Sequence, residues 1–137
     1  MAKITYICEG ELENTARIHV DGKYIDSENF VGFVDKNIHA IQWDGSSGEI
    51  EYKDGTPNKT ISDISSYGFE KKFTDEEKVI ADAEAKAESD RISKMTYADK
   101  RQEAYPTIAD QLDDIYHNGI DGWKSTIKAV KDKYPKS

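Results

Sequence analysis

Three histidines, a single cysteine, a knot of aspartates and a serine pair set between glycines are the residues of this chain whose types could do chemistry. His19, His39 and His117 form no His-x-x-x-His pair, the spacing that puts two imidazoles on one helix face for zinc. His39 alternates with Ile41 and Trp43, which places it among packed strand residues. Cys8 ends the apolar run Ile4-Thr5-Tyr6-Ile7 and has no second thiol, so neither an intrachain disulfide nor a cysteine cluster can form. With no basic neighbour in the sequence to favour a thiolate, it is expected to act as a small buried hydrophobe. Asp110, Asp113 and Asp114 share a helical face and could hold a divalent ion. The Asp-x-Asp-x-Asp-Gly run with a terminal Glu that builds a calcium loop is missing, so a solvated face is expected. Gly45-Ser46-Ser47-Gly48 precedes no helical pattern and reads as a hairpin loop, not a nucleophile elbow. No phosphate loop or dinucleotide fingerprint is present. These readings lead to an expectation of no catalytic residues, no cofactor and no metal.

Charge narrows the partners. The formal net charge is -8, 34% of residues are charged, and the mean hydropathy is -0.79. An acidic chain is poorly matched to nucleic-acid phosphates or anionic membranes, so neither is an expected partner. The lysines at 124, 128, 131, 133 and 136 fall in the last turns of a predicted helix, where cations suit its dipole. No run approaches the roughly 20 apolar residues of a membrane span. No apolar stretch follows Met1-Ala2-Lys3, so a chain made and kept soluble is expected.

The elements that would position these residues divide the chain in two. Residues 1–68 carry strand signals at 3–8, 17–20, 29–34, 38–43 and 48–53, punctuated by Asp21-Gly22, Asp44-Gly45 and Asp54-Gly55. Residues 38–53 read as a hairpin with His39, Ile41 and Trp43 on one face, opposite Ile50 and Tyr52. Residues 54–68 read as loop, pinned to the sheet by Ile61 and Ile64. A capping box, Thr74 with Glu77, predicts a long polar helix over 75–95. Helices follow at 97–105, 107–118 and from 121 or 122 onward. Ile108, Leu112 and Ile115 form one apolar stripe, and Trp123, Ile127, Val130 and Tyr134 form another. Joined by residues 119–122, these would pack as a helical hairpin. The expected fold class is α+β: a small antiparallel β domain at 1–68, a polar spacer helix at 69–96 and a C-terminal helical module at 97–137.

Tyrosine and tryptophan pair apolar area with a polar group, which makes Trp43, Tyr52, Tyr105, Tyr116, Trp123 and Tyr134 the candidate interface residues. Two passages carry a resemblance. Asn37-Ile38-His39-Ala40-Ile41-Gln42-Trp43-Asp44-Gly45, running on to Tyr52 and Asp54-Gly55-Thr56-Pro57-Asn58, resembles the N-terminal region of small tailed-bacteriophage proteins encoded among tail, baseplate or tail-fibre genes. Tyr97-Ala98-Asp99-Lys100-Arg101, Tyr105-Pro106, Asp110-Gln111-Leu112-Asp113 and the closing Trp123 to Pro135 are similar to a C-terminal module of phage structural proteins. The resemblance covers roughly residues 30–67 and 97–136. It implies a non-enzymatic virion protein of the tail, an adaptor, baseplate or fibre-associated component, made in the host cytoplasm. Its partners would be other tail proteins, with self-association left open. A tail-fibre or tail assembly chaperone is the alternative. A wall-degrading enzyme ranks last, since no one of the 27 acids stands out as a tuned catalytic carboxyl group.

Overall fold

A computed structural model describes residues 1–8 and 14–137. The order of elements is β1 (Ile4–Ile7), β2 (Ala16–Val20), β3 (Lys23–Ser27), β4 (Ile38–Trp43), β5 (Gly48–Tyr52) and β6 (Lys59–Ile61), then α1 (Phe69–Lys94), α2 (Tyr97–Ala104) and α3 (Ile108–Lys133). Short 3-10 turns occupy Glu28–Phe30 and Ser65–Tyr67. The architecture is α+β, with one antiparallel sheet ordered β3-β2-β1-β4-β5-β6. The chain forms two units, Met1–Ala83 and Glu84–Ser137, and the division falls inside α1.

The sheet follows from its alternation. One face carries two apolar rows across the strands. Ile25, Ile18, Tyr6, Ile41 and Ile50 are successive cross-strand partners, and so are Val20, Ile4, Trp43, Gly48 and Ile61. Such directly opposed pairs are the unit of sheet stability. Gly48 is required within its row, because a Cβ there would lie 2.9 Å from the Trp43 ring and 2.4 Å from the Gln42 carbonyl oxygen. At the β2–β3 hairpin, Asp21 (φ 48°) and Gly22 (φ 86°) both adopt positive φ, the geometry of the tight turn that matches strand twist.

The hairpin over 38–53 forms as expected, with one correction. Ile38 pairs with Tyr52 and Ala40 with Glu51, so the register shifts at His39. This bulge puts Ile38, not His39, into the core beside Ile41 and Trp43. His39 is half-buried, and its carbonyl accepts a 2.8 Å hydrogen bond from the Cys8 N–H.

Three further expectations are corrected. The apolar run at 29–34 forms no strand; a 3-10 turn capped by Ser27 delivers Phe30 into the core, with Val34 also buried. The segment 54–68 is not all loop, since β6 pairs Ile61 with Gly48 and Ser65–Tyr67 forms a 3-10 turn. Ile64 is buried and Ile61 packs against the core, as expected of both. Strand β3, which its polar composition hid, completes the other edge.

Helix α1 starts six residues earlier than the 75 that the capping box predicts. Gly68 takes a left-handed φ of 65° and the helix begins at Phe69. Thr74 is therefore interior, and its hydroxyl donates to the Glu70 carbonyl instead of capping. The reason is packing: Phe69 and Phe73 are buried, and the Phe69 ring lies against those of Tyr6, Phe33 and Tyr67. Glu76, one turn on, is the only buried charged side chain among the described residues. From Glu77 to Lys94 almost every position is exposed, with Lys71–Asp75, Lys78–Asp82 and Lys86–Asp90 pairs along the helix.

Candidate interface

Helix α2 opens with a capping box: the Thr96 side chain accepts from the Asp99 N–H, and the Asp99 carboxylate accepts from the Thr96 N–H at 2.9 Å. The Thr96 hydroxyl, which donates to the Asp99 carboxylate at 2.7 Å, and then the Thr96 N–H hold that carboxyl group below the usual carboxylate range. The helix stops before Pro106, as the restriction on the preceding residue requires. Arg101 then reaches α3, donating from Nε to the Tyr134 carbonyl at 2.8 Å and from Nη2 to the Lys131 carbonyl at 3.3 Å. These two carbonyls belong to the last turn and cap of α3, where acceptors lack helical partners.

Helix α3 bends at one residue. Gly119 has φ 73° and ψ 178°, a conformation that glycine alone adopts readily. The helix resumes at once, so the expected four-residue connection at 119–122 is replaced by a single glycine. Gly122 lies against the first leg, where a Cβ would meet that of Asn118 at 2.5 Å.

Two side-chain hydrogen bonds join the two legs. The Trp123 indole N–H donates to Gln111 Oε1 at 3.0 Å. The Thr126 hydroxyl donates to Asp114 Oδ2 at 2.8 Å, and Asn118 donates to Oδ1 of the same carboxylate. These two donors hold the Asp114 carboxyl group below its ordinary range. Trp123, Ile127, Val130 and Tyr134 are half-buried, as their stripe requires.

The other expected stripe is turned outward. Ile108 is 72% exposed, Leu112 62% and Tyr116 83%; Ile115 alone of that stripe is half-buried. The physical reason is local. Gln111 and Asp114 find side-chain partners on the second leg, and satisfying them rotates Ile108, Leu112 and Tyr116 to solvent. Ile120, just past the bend, is also exposed. Four of the ten exposed large hydrophobics among the described residues thus fall within residues 108–120.

The other candidate interface residues are distributed differently. Trp43 is buried in the sheet, and its indole nitrogen has no hydrogen-bond partner among the described residues. Tyr52 packs half-buried against the same core. Tyr105 is half-buried at the C-cap of α2, and Tyr134 is held by Arg101 through its backbone. Tyr116 alone presents most of its ring to water. The three aspartates serve three local purposes: Asp110 at the Thr107 cap, Asp113 beside His117 at 3.4 Å, and Asp114 between the legs. No group of three or more His, Cys, Asp or Glu side chains among the described residues is arranged to hold a metal ion.

One cleft in the first unit carries a residue pairing that sequence spacing could not show. Lys53 Nζ lies 3.6 Å from Cys8 Sγ, so the thiol does have a basic neighbour, brought 45 residues across the sheet. Tyr6, Cys8, Val34, Asn37, Ile38 and Lys53 help line this cleft of about 670 Å³. Burial and the Cys8 thiol push the Tyr6 phenol well above its ordinary range.

No known protein family, curated protein or solved structure gives a significant match to the chain. No helix among the described residues is long and apolar enough to cross a membrane.

Proposed function

We propose that this chain is a non-enzymatic protein of a bacteriophage tail apparatus, an adaptor, baseplate or fibre-associated part, that works through protein–protein contacts made by α3. One observation carries the contact reading: Ile108, Leu112, Tyr116 and Ile120 are left in water while neighbouring polar groups are turned inward. Burying a leucine or isoleucine side chain is worth roughly 1.5–3 kcal/mol, which this unit forgoes at several adjacent positions and a partner would recover. Grouped exposed apolar side chains mark contact surfaces, whereas scattered ones need no explanation. The assignment to a tail rests on the resemblance of residues 30–67 and 97–136.

Mass spectrometry of purified particles tests it. Stoichiometric presence of the chain, lost on Leu112→Ser/Tyr116→Ala without a change in helicity, is the expected result. Absence from particles together with co-purification with an unassembled tail protein would give the place to an assembly chaperone. Incorporation unaffected by the double substitution would remove α3 as the contact.

A further inference from the structure

We infer that the exposed row on α3 receives a basic amphipathic helix of another protein, with Lys or Arg flanking its apolar stripe. This inference rests on the reading of the row as a contact surface and adds the chemistry of the occupant.

Shape favours a helix. Ile108, Leu112 and Tyr116 recur every four residues along one leg, giving a ridge about 12 Å long at 1.5 Å per residue. Ridges of this spacing pack into the grooves of a second helix. Charge selects its type. Between Gln102 and Trp123 there are five acids and no Lys or Arg. Asp113, 73% exposed in its side chain, borders the row on its Tyr116 side. A cationic rim on the partner would meet this acid within an acidic stretch, and an acidic rim would be repelled.

The same pattern disfavours a second copy. Symmetric pairing through the row would set Asp113 against its own mate. The other exposed apolar residues on helices, Val79, Ile80 and Ile92, sit on α1, where residues 75–94 hold seven acids against four bases. The second leg of α3 does carry lysines, but its Trp123, Ile127 and Val130 are turned toward the fold and half-buried.

The test uses the full chain and two synthetic 20-residue amphipathic helices with the same leucine stripe, one flanked by lysines and one by glutamates. Binding is followed by backbone amide shifts. The lysine-flanked peptide is expected to shift amides of residues 108–121. Its affinity should fall roughly tenfold between 0.05 and 0.5 M salt, as screening of a few facing charges dictates. Asp113→Asn should weaken it severalfold with helicity unchanged. Leu112→Ser should abolish it. Equal binding of both peptides at the row would overturn the charge selection while leaving the row a contact surface. Binding elsewhere, or by neither peptide, would overturn the inference. Self-association through the row that Leu112→Ser abolishes would do the same, whatever particle analysis shows about the tail.

Discussion

Glu76 shows how a single charged side chain can organise a small sheet. It is 8% exposed and accepts a 2.7 Å hydrogen bond from the Ser27 hydroxyl and 3.1 Å bonds from the Asn29 amide to both oxygens. Ser27 closes β3 and caps the turn that delivers Phe30, so α1, the sheet edge and the core share one carboxylate. Removing a charged acceptor from buried donors is costly, because the donors lose their bonds and stay out of water. Glu76→Ala should destabilise the chain by about 2–3 kcal/mol in urea denaturation, and Glu76→Gln, which keeps one oxygen acceptor, by roughly half that. Asp44 offers a pH test at the same scale. The backbone N–H groups of Ser47 and Ser46, then the Ser46 hydroxyl, lower its pKa from 3.8 to about 2. A depressed carboxyl pKa gives stabilisation that is complete above 3.8 and is lost as the pH falls toward and through 2. The Ser46 and Ser47 amide resonances should therefore titrate with a midpoint near 2, and Asp44→Asn should flatten that response.

The bend in α3 is the element on which the exposed row depends. Gly119→Ala would hold an L side chain in a backbone region that glycine almost alone occupies, at about 1–3 kcal/mol. The expected result is loss of the bond from Trp123 to Gln111, seen as a change in indole fluorescence, with residues 108–118 still helical. Several elements were readable from the sequence: β5 and the Trp123 stripe by their periodicity, the end of α2 by Pro106, and β4 apart from its shift at His39. Others were not, for identifiable reasons. The onset of α1 was masked because Phe69 answers to Tyr6 and Phe33, tens of residues away in sequence, while a strong local capping signal sits at Thr74. Strand β3, Lys-Tyr-Ile-Asp-Ser, is polar because it is an edge and needs little apolar surface. The outward turn of Ile108 and Leu112 is set by two polar partners on the other leg, which no stripe of apolar residues reveals. Cys8 and Lys53 meet only through sheet pairing, so a scan for nearby cations in sequence cannot find them. Of the candidate interface residues, Tyr116 was legible as exposed from its place beside the stripe. Trp43 and Tyr52 answer to the sheet core instead.

For the whole molecule, the core residues fix where the chain can be divided. Every member of the buried cluster lies between Ile4 and Phe73, and α1 contributes Phe69, Phe73 and Glu76 before its exposed stretch begins. A fragment ending at Ala83 retains all of them, so it should fold with the strand signature of the full chain. Its urea midpoint should match that of the first transition of the full chain, as circular dichroism would report. Loss of the sheet signal in that fragment would mean that Glu84–Ser137 supplies stability to the first unit. Along α1, the spaced lysine–aspartate pairs contribute only about 0.2–0.5 kcal/mol each. The helix beyond Glu77 therefore has little of its own to resist fraying once detached.

The register shift at His39 also sets which length changes the sheet can absorb. Ile38 and Ile41 are three positions apart, yet both face the core, because one residue is taken out of the alternation between them. Deleting His39 would leave them two apart, a spacing that a plain strand accommodates, with Ile41 and Trp43 still inward. Deleting a single residue between Ile41 and Trp43 would instead point the indole outward. The strand thus carries one dispensable position, and a shortened form lacking it should keep its tertiary fluorescence while its neighbour in the deletion series does not.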